Sequence, residues 1–171
     1  KYWVSSLGFV SYGYFPVKID HASTSEWHHF DEETGIHTGI AAGFFYYEDE
    51  LHYCDNGLSV EGAIQTENGI IYSAPSGKVS VNNACYVAAN KCYGCTLQTG
   101  WYYADADGYI VANGFAVANG NTYYFNNYVR AKGLTKVGEK YYFFNAGNGV
   151  MQRDKNMWIG ANNPYGLEAG T

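Results

Sequence analysis

Aromatic clusters that recur along the chain constrain its fold more than any other feature. They lie at residues 27–30, 44–47, 70–72, 101–103, 123–125 and 141–144. A glycine stands two or three residues ahead of most of them, and the last two steps between these glycines are 20 and 18 residues. The two earlier steps are longer, which indicates insertions in the second and third units. Self-similarity of this kind predicts an array of short stacked units.

Each cluster has the pattern of a strand that leads into a polar turn and a second short strand. Pairs such as Asn56-Gly57 and Asp107-Gly108 supply the positive φ angles of tight hairpin turns. No segment has the i, i+3, i+4, i+7 spacing of a buried helix. A lone hairpin is marginal in water, so the units must stack to bury their rings. The sequence therefore predicts an all-β fold, a β-hairpin repeat solenoid of about five to six units.

The boundaries follow from where the repeat begins and ends. We expect the solenoid to cover residues 26–160, with a cysteine-containing insert at 77–99. Residues 1–25 show no repeat and are predicted to form an irregular N-terminal cap, which a solenoid needs at its ends. Residues 161–171 are predicted to be a C-terminal tail. Hairpins are expected at 44–60, 100–115, 121–134 and 140–159.

Composition argues against several classes of partner. Charged residues make up 15% of the chain and aromatic residues 18%, and the formal net charge is −6. Nucleic acids and anionic membranes attract clustered Lys and Arg, which this chain lacks. No apolar stretch of about 18 residues is long enough to span a bilayer. We therefore predict no nucleic-acid partner and no membrane insertion.

Several segments resemble the aromatic hairpins of bacterial cell-wall-binding repeats. They are residues 99–108, residues 138–151 and a more diverged copy at residues 27–35. The family includes the choline-binding proteins of cocci, the glucan-binding domains of glucosyltransferases and the repeats of large clostridial toxins. The resemblance implies a β-hairpin solenoid whose ligands sit between successive hairpins. It covers roughly residues 26–160 and is strongest from 99 to 152.

The match departs from the choline-binding pattern at the first aromatic position of the units. Choline recognition uses a cage of aromatic rings around a quaternary ammonium, but tryptophan stands there only at Trp27 and Trp101, and Lys140 would repel a cation. These departures favour a sugar over choline. The prediction is a non-catalytic, extracellular carbohydrate-binding module for a polysaccharide, with an α-glucan such as starch or dextran preferred. Attachment to choline or another cell-wall polymer is the alternative, and a host-protein-binding adhesin domain is a third possibility.

Stacking rings with polar groups at their rim are the residues expected to bind such a ligand. A stacked ring contributes about 1–3 kcal/mol in nucleic-acid complexes, and sugar stacking should be similar or weaker. Several sites in series would add avidity. The predicted ligand-binding residues are Trp101, Tyr103, Tyr123, Tyr124, Tyr141, Tyr142, Trp158, Asp105, Asn126, Arg130, Lys132 and Gln152.

Catalytic and metal chemistry have weaker support in the sequence. A glycosidase needs two carboxylates in a cleft, whereas acidic groups such as 48–50 and Asp107 fall in predicted turns and read as solvated turn residues. A metal site formed by His28 or His29 with Asp31 and His37 is a minor alternative. We predict no enzyme activity, no metal and no cofactor.

The four cysteines suggest a disulfide in a domain that is poor in aliphatic core residues. A metal site, a redox site at Cys92 and Cys95, and free thiols are the less favoured alternatives. At least one bridge is expected among Cys54, Cys85, Cys92 and Cys95, with Cys92 and Cys95 not bonded to each other, because bridges that close longer loops stabilise more. A disulfide would fit an extracellular chain that is secreted or attached to a cell surface. No apolar leader follows Lys1, so we interpret the chain as a mature or excised part of a larger multidomain protein.

Overall fold

The protein is described here by a computed structural model of residues 1–4, 8–18 and 24–170. Almost all regular structure in these ranges is β, and the one helical element is a single turn of 3₁₀ helix at Ala89–Lys91. No helix in these ranges is long and apolar enough to cross a membrane. The strands are β1 (Gly13–Val17), β2 (Glu26–Phe30), β3 (His37–Ile40), β4 (Gly43–Tyr47), β5 (Glu50–Asp55), β6 (Leu58–Ser59), β7 (Gly62–Thr66), β8 (Gly69–Ser73), β9 (Asn83–Val87), β10 (Cys92–Tyr93), β11 (Gly100–Ala104), β12 (Gly114–Ala118), β13 (Asn121–Asn126), β14 (Val129–Arg130), β15 (Gly133–Val137) and β16 (Lys140–Phe144).

The strands form small sheets that follow one another along the chain. Within the described residues there are six sheets of two or three strands, in the orders β1-β2-β3, β4-β5-β6, β10-β7-β8, β11-β9, β12-β13-β14 and β15-β16. All pairs are antiparallel except β10 with β7, which is parallel. The predicted all-β repeat of about five to six hairpin units is confirmed.

The pairing partner of most aromatic strands differs from the prediction. The aromatic strand pairs with the strand before it: β13 pairs with β12 and β16 with β15. The predicted hairpin at 100–115 is formed only in part: the main partner of β11 is β9, and the chain after β11 turns back to a single bridge between Ala104 and Ile110. The glycine ahead of the rings makes the hairpin turn; Asn119 and Gly120 have φ of 48° and 75° and join β12 to β13. A two-residue loop with both φ positive matches the twist of its strands.

The cysteine-containing region contributes to the repeat. Strand β9 lies within the predicted 77–99 insert and pairs with β11 over five residues. The connection between them, residues 88–99, carries the 3₁₀ turn and β10, which adds to the edge of β7. Near the N-terminus, β1 pairs with β2 across the predicted boundary at residue 26, and residues 5–7, 19–23 and 171 of the predicted cap and tail lie outside the described residues. The domain boundaries themselves remain predictions.

Successive hairpins pack against each other through buried side chains and a few backbone hydrogen bonds. Ile71 and Phe144 are fully buried, and Ile71 shares a cluster with Ile64 and Val79. The Ile110 amide donates to the Ile70 carbonyl at 2.7 Å, and the Val79 amide to the Leu51 carbonyl at 2.8 Å. Each hairpin is thus completed by its neighbours, as the stacking argument requires.

All four cysteines are free thiols in the structure, so the predicted disulfide is not found there. Cys54 packs with Trp27 and Phe45 in one core cluster, while Cys85 belongs to another. Cys92 and Cys95 pack against the Cys85 cluster, and the Cys95 thiol donates a hydrogen bond to the Ala63 carbonyl at 3.6 Å. The disulfide was expected to compensate for a core poor in aliphatic residues. Aromatic rings packed between hairpins supply that buried surface instead.

Alkylation should separate these thiols by burial. Cys54 and Cys85 are 0% and 3% exposed, and burial raises the pKa of Cys85 to about 12. Since the thiolate is the reactive form, iodoacetamide at pH 8 should modify Cys92 and Cys95 in the folded protein and spare the two buried thiols. Peptide mass spectrometry before and after unfolding in urea measures the difference. Equal labelling of all four in the folded protein would contradict the structure.

Two histidines are buried in the N-terminal hairpins. His28 Nδ1 lies 2.8 Å from His37 Nε2, and its Nε2 lies 3.6 Å from a Glu26 carboxylate oxygen. The His52 ring stacks on Phe45 with centroids 5.6 Å apart. Burial lowers the pKa of both His28 and His52, and the neighbouring His37 lowers that of His28 further. Both imidazoles are therefore neutral in the folded protein near pH 7.

Lowering the pH should therefore destabilise the fold at pH values where the carboxylates are still ionised. Because the pKa values are lowered on folding, the unfolded chain takes up protons first as pH falls below about 6.5. The free energy of unfolding should then decrease by up to about 1.4 kcal/mol per pH unit for each proton. Urea unfolding between pH 7.5 and 5 measures this loss. His28→Gln should reduce the slope, because it removes a histidine whose pKa is lowered by burial in the folded protein.

Candidate ligand-binding grooves

Among the described residues, three grooves between neighbouring hairpins stand out as candidate sites. We name them after one residue each: the Tyr109 groove, of about 870 Å³, the Tyr123 groove, of about 360 Å³, and the Lys132 groove, of about 770 Å³. Asn83 lines the first two, and Trp101 and Arg130 line the last two. The grooves therefore adjoin one another along the array.

The Tyr109 groove has walls of aromatic rings from three successive units. Phe44 and Tyr46 come from β4, Tyr72 from β8, and Tyr109 from the loop after β11. Tyr46 is 70% exposed and Phe44 is 37% exposed, so both rings present surface to solvent. The Phe44 and Tyr109 rings meet edge to face, with centroids 6.4 Å apart. Rings from different units thus converge on one cavity.

Carboxylates make the Tyr109 groove electronegative. Asp49, Glu50 and Asp107 line it together with one cation, Lys78, which forms an ion pair with Glu50. Within the described part of the chain, neither Asp49 nor Asp107 has a basic partner. Two uncompensated negative charges therefore face an aromatic cavity, an arrangement that attracts an organic cation.

Hairpin turns hold these two carboxylates in place. Asp49 lies in the two-residue turn between β4 and β5 with φ of 62°. The Asp105 carboxylate accepts hydrogen bonds from the Asp107 amide at 3.1 Å and from the Tyr109 amide at 2.8 Å. Asp105, a predicted ligand-binding residue, thus shapes the loop that presents Asp107 and Tyr109.

The Tyr123 groove brings together four of the predicted ligand-binding residues, Trp101, Tyr103, Tyr123 and Arg130. Tyr103 is 5% exposed and its hydroxyl donates to the Val117 carbonyl at 2.9 Å. Its ring stacks on Tyr123 with centroids 6.4 Å apart. The Arg130 guanidinium lies over the Tyr123 ring, 5.9 Å from its centroid. A cation of the protein itself therefore covers this ring, which disfavours a cationic ligand there.

The Lys132 groove shares Trp101, Tyr102 and Arg130 with the Tyr123 groove. Arg130 and Lys132 line it, and none of its lining residues is acidic. Trp101 is 65% exposed, and Tyr86 braces it across the β9–β11 pair with ring centroids 5.4 Å apart. Tyr102 also contributes, with its hydroxyl donating to the Gln98 carbonyl at 2.8 Å. The groove combines an exposed stacking ring with positive charge.

The remaining predicted residues lie outside these three grooves, and no ligand contact of theirs is shown. Tyr124 packs between Phe115 and Phe144, at 5.0 and 6.3 Å between centroids. Tyr141 contacts Tyr165 edge to face, and Tyr142 contacts Phe115 in the same way. Trp158 is exposed. The other polar residues are Asn126 at the end of β13 and Gln152, which bonds the Val150 carbonyl.

Sequence reasoning did not assign the Tyr109 groove. The sequence places Asp49 and Asp107 in solvated turns, and it gives no reason to include Tyr72 or Tyr109 among the ligand-binding residues. The available signal was the repeat itself: acidic turns and aromatic strands in consecutive units. Which turn faces which strand depends on how the hairpins stack, and that information appears only in three dimensions.

Two ring substitutions should separate binding rings from packing rings. Trp101→Ala removes a ring that is 65% exposed, so the melting temperature should stay nearly unchanged. Tyr124→Ala removes a half-buried ring between two neighbours, and should cost about 2 kcal/mol of unfolding free energy, roughly half the cost of a fully buried ring. Thermal and urea unfolding of both variants measure this. An unfolded Trp101→Ala protein, or an unchanged Tyr124→Ala protein, would contradict these roles.

Comparisons with known proteins identify the fold. No protein-family model matches the chain, and no curated protein matches it. Choline binding protein F from Streptococcus pneumoniae, crystallised in the presence of a peptidoglycan analogue (tetrasaccharide-pentapeptide), superimposes with a TM-score of 0.54 at 19% identity over 90% of this chain and 48% of that one. The same protein in complex with ipratropium gives a TM-score of 0.52 at 19% identity, with 88% and 46% covered. The chain spans about half the length of choline binding protein F. The predicted resemblance is thereby confirmed at the level of architecture: the chain has the β-hairpin repeat fold of choline binding protein F.

Proposed function

We propose that the chain is a non-catalytic, extracellular module that attaches to a cell-wall polymer by binding its choline-type cationic groups in the Tyr109 groove. The observation that carries this proposal is the groove itself, where aromatic rings from successive hairpins surround a cavity with two uncompensated carboxylates. We further propose that the chain is one part of a larger secreted or surface protein.

The physical basis is the affinity of aromatic faces for cations. A quaternary ammonium near such rings gains about 0.5–2 kcal/mol, depending on how far it is desolvated. The Asp49 and Asp107 carboxylates, which line the same groove, add electrostatic attraction to a cation bound there. Choline carries one positive charge, which reduces the excess negative charge of the groove. A single site of this strength gives weak binding, and attachment would come from several sites on a repetitive polymer.

The similarity to choline binding protein F supports the same conclusion. That protein has this fold and was crystallised with a peptidoglycan analogue. The objection to choline rests on the scarcity of tryptophan at the first aromatic position and on Lys140. The Tyr109 groove has tyrosine and phenylalanine rings in place of tryptophan, and Lys140 lines none of the three grooves. Of the three grooves, only the Tyr109 groove is lined by carboxylates. The cell-wall alternative is therefore better supported than the α-glucan prediction.

An α-glucan remains the second candidate ligand. The observation in its favour is the exposed Trp101 ring braced by Tyr86, a flat surface on which a sugar ring could stack. The negative charge of the Tyr109 groove gives a neutral sugar no electrostatic stabilisation comparable to that of a cation. A choline titration and an α-glucan titration of the same protein therefore report on different surfaces.

Choline titration of carboxylate variants tests the proposed function. Asp49→Asn and Asp107→Asn should each weaken choline binding about fivefold, since each removes roughly 1 kcal/mol of attraction to the cation. Isothermal titration calorimetry measures the dissociation constants. The matched control is Glu67→Gln, an exposed acidic residue in the turn between β7 and β8 that lines no groove; its affinity should be unchanged.

A neutral ligand completes the design. 3,3-Dimethyl-1-butanol has the shape of choline without its charge, so it should bind more weakly and be insensitive to either Asn substitution. Unchanged melting temperatures show that the variants are folded. Absence of choline binding, or equal losses in Glu67→Gln and the two Asn variants, would overturn the proposal. If the protein is retained on starch or dextran and does not bind choline, the result would support the α-glucan prediction instead.

A further inference from the structure

The Lys132 groove has the opposite charge to the chain as a whole. The formal net charge of the chain is −6, yet Arg130 and Lys132 line this groove with no acidic residue beside them. Within the described part of the chain, neither residue forms an ion pair, whereas Lys78, Lys91 and Lys136 each meet a carboxylate. Two uncompensated cations at one cavity attract an oxyanion.

Packing holds Arg130 in position. Its guanidinium lies over the Tyr123 ring at 5.9 Å from the centroid. Its stem runs close to Gly149, where an added Cβ would come within 2.7 Å of the arginine Cδ. Arg130 also lies in β14, which pairs with β13. A guanidinium fixed in this way can present its planar N–H fork to a carboxylate or phosphate at a reduced entropic cost.

Trp101 supplies a stacking surface at the same place. Its ring is 65% exposed, and it lines the Lys132 groove and the Tyr123 groove, as Arg130 does. Tyr86 contacts it edge to face and limits its motion. Aromatic rings next to cations are suited to ligands that have both a flat apolar face and a negative group. A sugar unit with an acidic substituent has this combination.

We propose that Trp101, Arg130 and Lys132 form a second binding site, which takes a sugar unit that carries an oxyanion. The sugar ring stacks on Trp101, and the carboxylate or phosphate lies between Arg130 and Lys132. The site repels choline and discriminates against neutral glucans, which lack the charged group. This second site shares no residue with the Tyr109 groove, so the two proposals can be tested independently.

Three ligands with one glucopyranose ring test the proposal: glucose, glucuronate and glucose 6-phosphate. They differ at carbon 6, which is neutral in glucose, a carboxylate in glucuronate and a phosphate in the third. Both anions should bind at least fivefold more tightly than glucose at low salt, and added salt should reduce the difference. The ratio between the two anions identifies the preferred oxyanion, and phosphate should lead if charge alone decides. Chemical-shift titrations give the affinities.

Substitutions locate the site. Arg130→Gln and Lys132→Gln should each remove most of the preference for the anions, and Trp101→Ala should weaken all three ligands about tenfold. Lys140→Gln is the matched control, an exposed lysine in β16 that lines none of the grooves, and it should change nothing. Choline affinity should be unchanged in all four variants, which also shows that they are folded.

Clear outcomes would overturn the inference. Equal affinity for glucose and glucuronate, or a preference for anions that survives both Gln substitutions, excludes an oxyanion site at Arg130 and Lys132. Binding of inorganic phosphate as tight as that of glucose 6-phosphate, with no effect of Trp101→Ala, would show an anion site without a sugar component. Maltoheptaose binding as tight as that of glucuronate would show a neutral glucan site instead.

Discussion

A short hairpin cannot bury its own rings, and this constraint underlies both the fold and the grooves. With strands of about five residues, one sheet has too little surface to enclose a core, so rings from consecutive sheets stack on each other. The ring centroids of Tyr14 in the first sheet and Phe45 in the second are 4.5 Å apart. Those of Tyr124 in the fifth sheet and Phe144 in the sixth are 6.3 Å apart. Where rings of neighbouring units turn outward instead, they form the walls of a groove.

Grooves built from the same unit differ in charge because charged residues such as Asp49 and Asp107 lie in turns, whereas most of the packed rings lie in strands. Strand residues such as Phe45 and Phe125 must fit their neighbours, so few residue types suit them. Asp49 and Asp107, in contrast, lie in hairpin turns or loops beside the Tyr109 groove, and Lys132 lies just after β14 beside another. Turn residues vary with little cost in stability, and each groove acquires its own electrostatic character on a common scaffold.

The fold class and repeat number could be predicted from sequence because ring clusters and turn glycines are local signals. Strand pairing could not: glycine or asparagine turns flank both sides of a cluster, as at Gly120 and Asn127 around β13, and only packing selects the main partner. Trp101, Tyr123, Arg130 and Lys132 were identified as candidates because they fall in regular units. Asp49 and Asp107 belong to distant segments, and the sequence does not reveal that their turns face one cavity.

The contrast between pairing within and between hairpins has a mechanical consequence. Strands of one hairpin pair over five residues, as β15 does with β16, whereas neighbouring hairpins are joined by isolated bridges such as that of Ile71 with Tyr109. Tension applied to the ends of the chain would load these bridges first. The array would then lengthen one unit at a time, each step absorbing work while the remaining hairpins keep their shape. An array built in this way would yield gradually under tension instead of in one event.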